Sequence, residues 1–504
     1  MGSIAETLIA GSIETDTSEQ AMKRASRDGS QIEIRPRCVV RPKNTGEIAE
    51  AVRICNAHSV PLSIAGGYTG LSGGALGYDS VRIEMKNMDS FSIEGDTVRA
   101  EGGASVPEII RRTHDAGYVF PVQPASACRV DDVYDYLGAT IGPVTVGGSI
   151  GANASGLVGC KLGAAREWIR ELTVVLPDGE IITTDDADRF AGTEGRYGIV
   201  AEAVVGLAPL PGNIATYLVR GKGLWAYADA AVSIGRADVL PYLAESMVMS
   251  GSPPDLRSIA GRTFDDPDGF LGTYGDLFGP DSWLILLQGS ADEVKACLDR
   301  FGSDGLDVDT RELSEEDFTR IKQIRSAASD DIGTGVENPD VGKMKEPPVK
   351  RAARFLTEAV AEFARRGIRP KAEHNFGNLW VFLAGEAERE QYRRDVADRI
   401  AFDDGRLALY EKCGGDLTAY LETFLAPSVT DDMVRDRIAV NFPGNEDILI
   451  RAESFLETME VLDGLMEKYG ACPVPLYYCH INFRRQKGWI LVHNRLLLDV
   501  REFV

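Results

Sequence analysis

Apolar and polar positions repeat with two different periods along this chain. Val81-Arg82-Ile83-Glu84-Met85 and Val98-Arg99-Ala100-Glu101 alternate one by one, the period of a half-buried strand. Between Thr45 and Cys55 the apolar positions Ala49, Val52, Ile54 and Cys55 fall on one helical stripe, with Thr45 read as the cap. Ser105-Val106-Pro107-Glu108 opens a second helix, with serine at the cap and proline in the first turn, and it ends near Ala116-Gly117. Leu172–Leu176 and Glu180–Thr183 flank the turn Pro177-Asp178-Gly179 and predict a hairpin. Val204 to Leu207 reads as a further apolar strand. In the second half, Trp283–Leu287 predicts a buried strand, and Ser290-Ala291-Asp292-Glu293 is a capping box for a helix reaching about Phe301. Val349–Arg366 and Phe455–Tyr469 carry helical stripes. Asn378–Leu383 and the region from Pro475 to Phe483 read as strands.

The order strand, helix, loop, strand, helix in the first half predicts an α+β or α/β domain, closed by Pro209 and Pro211. Repeated strand–helix–strand units in the second half predict an antiparallel sheet covered by helices. The expected organisation is a first domain over 1–212, a second over 213–480, and a C-terminal segment, 481–504, read as returning to the first domain.

Three glycine-bearing stretches interrupt this pattern. Ala65-Gly66-Gly67-Tyr68-Thr69-Gly70-Leu71-Ser72-Gly73-Gly74-Ala75 follows the apolar run 60–64. Glycine permits positive φ and close approach of backbone N–H groups, and successive N–H groups form an anion-binding nest. Thr69 and Ser72 add hydroxyl donors. A diphosphate fits such a loop, and so does a plain surface turn. Val146-Gly147-Gly148-Ser149-Ile150-Gly151-Ala152-Asn153-Ala154-Ser155-Gly156 leaves room on one side of the backbone, either for a flat ligand or for close packing of two backbone segments. Gly192 to Val200 is the third.

Composition narrows the choices. The 504 residues are 44% hydrophobic and 26% charged, an ordinary globular balance. A formal net charge of -23 argues against nucleic-acid or anionic-membrane partners. No run approaches the roughly 20 apolar residues of a membrane span, and the N-terminus has no signal-peptide pattern. Eight scattered cysteines without a Cys-x-x-Cys pair predict reduced thiols in a cytoplasmic protein, and neither an iron–sulfur cluster nor a structural zinc site.

Taken together, the three stretches resemble the flavin-binding domain of the vanillyl-alcohol-oxidase superfamily, most closely its D-lactate dehydrogenase and glycolate oxidase D-subunit group. Pro124-Ala125-Ser126 matches as well, and the resemblance covers roughly residues 35 to 210. It implies an α+β fold with a two-subdomain PCMH-type FAD-binding domain plus a cap. It also implies that Gly66, Gly67, Tyr68, Thr69, Gly70, Ser72 and Gly73 hold the FAD diphosphate. Pro124, Ser126, Gly147, Gly148, Ala152, Asn153, Ser155 and Gly156 would lie along the flavin, and Ile199 at the adenine end. Covalent members often carry a histidine near position 68; Tyr68 cannot form that link, so noncovalent FAD is expected. The segment 128–140 is longer than the family usually has, and reads as a surface or interface excursion.

The resemblance implies oxidation of a small 2-hydroxy acid, and here the match loosens. Against the group's Gly-His-x-Gly-Asp-Gly-Asn-Leu-His motif, Glu373-His374-Asn375-Phe376-Gly377-Asn378-Leu379-Trp380 keeps Gly-Asn-Leu but puts Glu373 and Trp380 at the histidine positions; alternatively Ala372-Glu373-His374 resembles the group's later Ala-Glu-His-Gly motif out of its usual place, and both alignments cannot hold. Such chemistry needs a base for the hydroxyl proton and a cation for the carboxylate. Of five histidines, His58, His114 and His493 read as structural, leaving His374 as base, with Glu373 beside it, and His480 on an aromatic-rich strand. Glu373 and His374 are too few to define a divalent metal site. Arg325 resembles the cap arginine that meets the substrate carboxylate, and a solvated helix arginine is the bland alternative. The segment 333–348, with Lys343 and Lys345, reads as a loop over the site or as an ordinary connection. Expected partners are a small-molecule substrate, an electron acceptor (oxygen, a quinone or a protein) and, for assembly, further copies of the chain. Three other readings stay open. One is oxidation of an alcohol, sugar or phenol without a metal, favoured by Trp380, Tyr477 and Tyr478. The others are a non-redox flavin lyase or transferase, and an FAD-binding partner subunit.

Overall fold

The computed structural model describes residues 3–30, 32–70, 73–124, 134–136, 139–249, 256–279, 281–330, 348–368, 371–372, 390, 394, 405–425, 439–441, 448–451, 454–469, 476–482, 489–493 and 497–499. Three sheets organise them. The alternating N-terminal strands form a four-stranded sheet in the order Thr15–Asp16, Cys38–Val40, Val81–Glu84, Leu62–Ala65, its last three strands parallel. The helix Thr45–Ala57 packs Ile48, Val52 and Cys55 against Val40 and Ile83 in one apolar core. Its cap is Asn44 rather than Thr45: the Asn44 side chain accepts the Glu47 N–H at 3.0 Å, and Thr45 is the first helical residue. Either side chain can cap; Asn44 holds the extended backbone that a cap requires.

A second, five-stranded antiparallel sheet runs Ile181–Thr184, Ile169–Val175, Ile199–Gly206, Thr97–Glu101, Phe91–Glu94. The expected hairpin is its edge. The strand expected from Val204 starts earlier, at Ile199, so the third glycine stretch runs directly into it. The helix Val106–Asp115 is capped by Ser105, as its sequence predicts.

The third sheet is the largest, eight strands with every pair antiparallel: Asp309–Glu312, Ile214–Lys222, Ser282–Ser290, Leu243–Met249, Leu476–Asn482, Trp489–His493, Ile448–Arg451, Lys371–Ala372. Trp283–Leu287 is apolar throughout because both faces are covered. Trp283, Ile285 and Leu287 join a core with Tyr227, Phe301, Phe355, Phe363 and Phe455, drawn from the helices Leu224–Gly235, Ala291–Ser303, Pro348–Arg365 and Phe455–Tyr469. Leu284 and Leu286 face the other way, with Leu243, Met247, Phe270, Ile321, Ile324 and Leu157. The helix Ala291–Ser303 keeps its capping box between Ser290 and Glu293.

Within the C-terminal segment, Trp489–His493 pairs with Leu476–Asn482 and Ile448–Arg451 inside the large sheet, and Leu497–Asp499 pairs with Ala439–Asn441. An apolar strand adds most readily to the open edge beside it, and Leu476–Asn482 offers one. Part of the 128–140 segment forms a small hairpin, Tyr134–Tyr136 against Ala139–Ile141. The expected strand Asn378–Leu383 and residues 333–347 of the expected loop lie outside the described residues, and Pro348 opens the helix Pro348–Arg365.

Candidate functional site

The first glycine loop leaves the parallel strand Leu62–Ala65 and turns at once. Gly66 and Gly67 have no room for a side chain. A Cβ on Gly66 would sit 2.1 Å from the Thr145 hydroxyl oxygen, and one on Gly67 would sit 1.9 Å from the Pro143 carbonyl oxygen. The loop therefore lies directly on residues 142–145, and the Gly142 N–H donates to the Gly67 carbonyl at 2.8 Å. Tyr68 takes φ +59° and is buried, its hydroxyl donating to Glu84 at 3.0 Å. Burial pushes this phenol well above its ordinary pKa. Burial also works to raise Glu84, but the Arg41 hydrogen bond and the charges of Arg24, Arg41 and Lys86 outweigh it and hold that carboxyl below its usual range. Thr69 is half-buried. Gly70 is exposed, and a Cβ there would touch nothing within 4 Å.

The second stretch is not a loop at its start. Val146–Gly151 is a short helix capped by Thr145, whose hydroxyl accepts the Gly148 N–H at 3.2 Å. A helix this rich in glycine is poor by propensity, about 1 kcal/mol worse per glycine than alanine. Packing explains Gly147: a Cβ there would lie 2.8 Å from the Gly102 carbonyl oxygen. Gly148 is exposed. Gly156, at φ +81°, packs on Gln123 and Pro124. Close backbone packing thus accounts for Gly147 and Gly156, whereas Gly70 faces open space and a Cβ on Gly148 would meet the Thr145 hydroxyl at 3.0 Å.

The third stretch completes the arrangement. The Gly192 N–H donates to the Ile150 carbonyl at 3.0 Å and the Glu194 N–H to the Gly151 carbonyl at 2.9 Å. A Cβ on Gly74 would meet the Glu194 carboxylate at 2.6 Å. Three stretches about 50 to 130 residues apart in sequence therefore meet at one place. Ile199 is buried in the core of the parallel sheet at the head of its strand.

This surface fits a dinucleotide flavin. Ser149 and Ser155 are buried, and their hydroxyls have no hydrogen-bond partner among the described residues. Such orphaned groups cost stability unless a ligand or water engages them. Asn153 is occupied: it holds φ +49° and its side-chain oxygen accepts the Arg166 N–H at 3.0 Å, a loop-fixing role. Ala152 caps the end of the short helix. Gly73 takes φ +74°, and Pro124 is half-buried. Ser72 and Ser126 lie outside the described residues.

The helix Gly159–Leu162 packs against the strands Leu243–Met249 and Leu476–Asn482. Arg325, on the helix Glu315–Asp330, is not solvated: it is 2% exposed and forms an ion pair with Glu245, itself 2% exposed. Glu245 points to the sheet face that carries Leu243, Met247 and Leu157. His480 stands directly across from Glu245 in the strand register. Glu373, His374 and Trp380 lie outside the described residues. His58 is the C-cap of the helix Thr45–Ala57, and His114 sits in the last turn of Val106–Asp115. Among the described residues no group of three or more His, Cys, Asp or Glu side chains is placed to hold a metal ion, and no helix is long and apolar enough to cross a membrane.

Sequence reading missed Glu245, Glu194, Asp28 and Arg406. Glu245 had a signal, as a single charge inside the apolar run Leu243–Met249. Arg406 had none, because its partners Gly73 and Leu76 are remote in the chain, and the burial of Asp28 and Glu194 is set by the fold rather than by their neighbours in sequence.

A family model described as FAD binding domain matches residues 36–131 and 133–185. The glycolate oxidase subunit GlcD of Bacillus subtilis (strain 168) is 29% identical over 323 residues, covering 59% of this chain and 62% of that protein. The D-lactate dehydrogenase of Anaerostipes hadrus is 22% identical over 395 residues, 72% of this chain and 77% of that one. The D-2-hydroxyglutarate dehydrogenase of Stutzerimonas stutzeri (strain A1501) is 29% identical over 201 residues, 37% of this chain and 40% of that one. The chain thus spans less than two thirds of the length of the first and third of these relatives. The N-terminal part of the chain is a PCMH-type FAD-binding domain, and FAD is its cofactor.

Proposed function

We propose that this chain is an FAD-dependent oxidoreductase that converts a small 2-hydroxy acid to the 2-oxo acid. The observation that carries the reading is Arg325: a buried guanidinium, held by Glu245, on the sheet face that meets the FAD-binding domain at Leu157. A guanidinium presents its donors in a planar fork suited to a carboxylate, and Glu245 fixes the fork's orientation. The relatives named for glycolate, D-lactate and D-2-hydroxyglutarate supply the substrate class.

FAD, when bound, supplies the two-electron acceptor, taking hydride at N5. The chain supplies the rest. Arg325 holds the substrate carboxylate, and His374 removes the hydroxyl proton as the carbinol hydrogen leaves, with Glu373 beside it and His480 across the register from Glu245. Gly66, Gly67, Tyr68, Thr69, Gly70 and Gly73 present backbone to the diphosphate. Gly147, Gly148 and Ser155 border the flavin ring, and Ser149 adds a hydroxyl there. Tyr68 leaves FAD noncovalently held, its hydroxyl already committed to Glu84.

The test is anaerobic mixing of the purified flavoprotein with D-2-hydroxy acids, simple alcohols and phenols, following the flavin absorbance. Hydroxy acids should bleach the flavin, and Arg325→Met should raise KM about 100-fold, the worth of a charge-assisted bidentate contact of about 3 kcal/mol. Bleaching by alcohols or phenols and not by hydroxy acids would reject the reading in favour of a metal-free alcohol or phenol oxidoreductase.

A further inference from the structure

We propose that Arg406, from the C-terminal half, is a positioning residue for the diphosphate loop, so that FAD retention depends on a side chain some 330 residues away in sequence. The proposal rests on the reading that residues 66–70 hold the diphosphate. The helix Arg406–Lys412 begins at Gly405, which takes φ +81° and whose Cβ would lie 2.2 Å from the Tyr78 carbonyl oxygen. Only glycine allows this approach. Leu407 then enters the core of the small parallel sheet, and Arg406, 2% exposed, turns back to the loop. Its Nη2 donates to the Gly73 carbonyl at 2.7 Å and also to the Leu76 carbonyl.

Two other bonds hold the same loop. The Gly29 N–H donates to the Tyr68 carbonyl at 2.9 Å, and the Gly142 N–H to the Gly67 carbonyl at 2.8 Å. The carbonyls of residues 67, 68, 73 and 76 are therefore all tied to neighbouring protein. In a planar trans peptide the N–H points opposite to the C=O. Each tether consequently turns the next N–H, at Tyr68, Thr69, Gly74 and Gly77, away from its anchor. Arg406 fixes the far end of the nest through the carbonyls of Gly73 and Leu76. It also adds charge. Asp28, Arg82 and Arg406 are all buried and feel one another's charge, and Arg82 also feels the charge of the buried Glu84.

The test compares FAD dissociation constants, read from flavin fluorescence during reconstitution of the apoprotein, with the apoprotein melting temperature. Arg406→Met should raise the constant at least about tenfold, the effect of losing charge-assisted hydrogen bonds, at an unchanged melting temperature. Arg406→Lys, which keeps the charge and a donor, should recover part of that loss. Wild-type affinity in Arg406→Met, or a loss that only follows the melting temperature and is no better in Arg406→Lys, overturns the proposal. If Arg406→Met does not fold, Arg406→Lys against wild type decides: a constant raised about threefold supports it, and an unchanged one overturns it. Gly70→Val, whose side chain enters open space, separates the two readings. If Gly70→Val binds FAD normally, the diphosphate reading itself fails. If it loses FAD while Arg406→Met does not, only the role of Arg406 fails.

Discussion

Asp28 shows at the residue scale how a buried group sets a pH dependence. Burial pushes its carboxyl up to about 6, against the Ser30 hydrogen bonds and the charges of Arg82 and Arg406, which pull it down. Unfolded, the same group titrates near 3.8. Its folded pKa is the raised one, so the folded chain binds more protons than the unfolded chain between these values. The stability Asp28 contributes is fully present below about pH 4 and is lost as the pH rises through about 6, a swing of up to about 3 kcal/mol. Asp16 and Glu362, each lowered to about 2, act in the opposite sense and in a lower window, so the comparison must be with a variant. Asp28→Asn keeps an acceptor for the Ser30 N–H and hydroxyl. Thermal unfolding of both proteins from pH 4 to pH 7.5 should show wild type losing stability relative to Asp28→Asn as pH rises. A constant difference across that range would refute the raised pKa. None of this was legible in the sequence. Asp28 sits in a polar stretch and is made special by Arg82 and Arg406, whose positions only the folded chain defines. Gly66, Gly67 and Gly70 were legible, because glycine announces a backbone requirement locally.

At the scale of elements, the helix Val146–Gly151 corrects a reading based on composition alone. Six residues with three glycines look like loop. They fold as a helix because Thr145 caps them and because the close approach to Gly102 excludes larger residues at Gly147. Propensity and packing then oppose each other in Gly147→Ala. Alanine gains about 1 kcal/mol as a helix former. Its Cβ must displace the Gly102 backbone, 2.8 Å from the oxygen and 3.1 Å from the Cα, an overpacking cost of about 1–3 kcal/mol. Packing wins, because backbone cannot swing aside as a side chain can. Gly148→Ala faces no such wall. Its nearest neighbour is the Thr145 hydroxyl at 3.0 Å and the position is exposed. Melting curves of the apoproteins should therefore place Gly147→Ala below wild type and Gly148→Ala level with it or above. Equal melting temperatures for the two variants would remove the packing explanation. The strands and the capped helices, by contrast, were readable from their periods: Trp283–Leu287 announced a strand covered on both faces, and Ser290 with Glu293 announced the start of a helix. The ends of elements were less readable, as Asn44 and Ile199 show, since caps and strand starts depend on partners.

The whole molecule is held together by contacts that join the FAD-binding domain to the large sheet. Tyr242 lies at the junction: its hydroxyl donates to the Pro209 carbonyl at 2.9 Å, and the Lys161 ammonium stands 4.2 Å from its ring centroid. Lys161 also pairs with Glu293, the capping residue of the helix Ala291–Ser303. One side chain of the FAD-binding domain thus touches both Tyr242, beside the strand Leu243–Met249, and the helix Ala291–Ser303, close to where Leu157 meets the face that carries Arg325. A half-buried pair of this kind is worth more than a surface bridge, because Glu293 is left near its apolar neighbours when the cation goes. Lys161→Met keeps most of the side-chain volume and should lower stability by about 1–2 kcal/mol. The more telling readout is communication between the halves. With the tie cut, the orientation of Arg325, the proposed carboxylate anchor, loosens relative to the FAD-binding domain. KM for a hydroxy acid should therefore rise several-fold, while the FAD dissociation constant stays at its wild-type value, since the three glycine stretches and Arg406 lie elsewhere. A variant that loses FAD and substrate affinity together would place Lys161 in the cofactor site rather than at the hinge between the two halves.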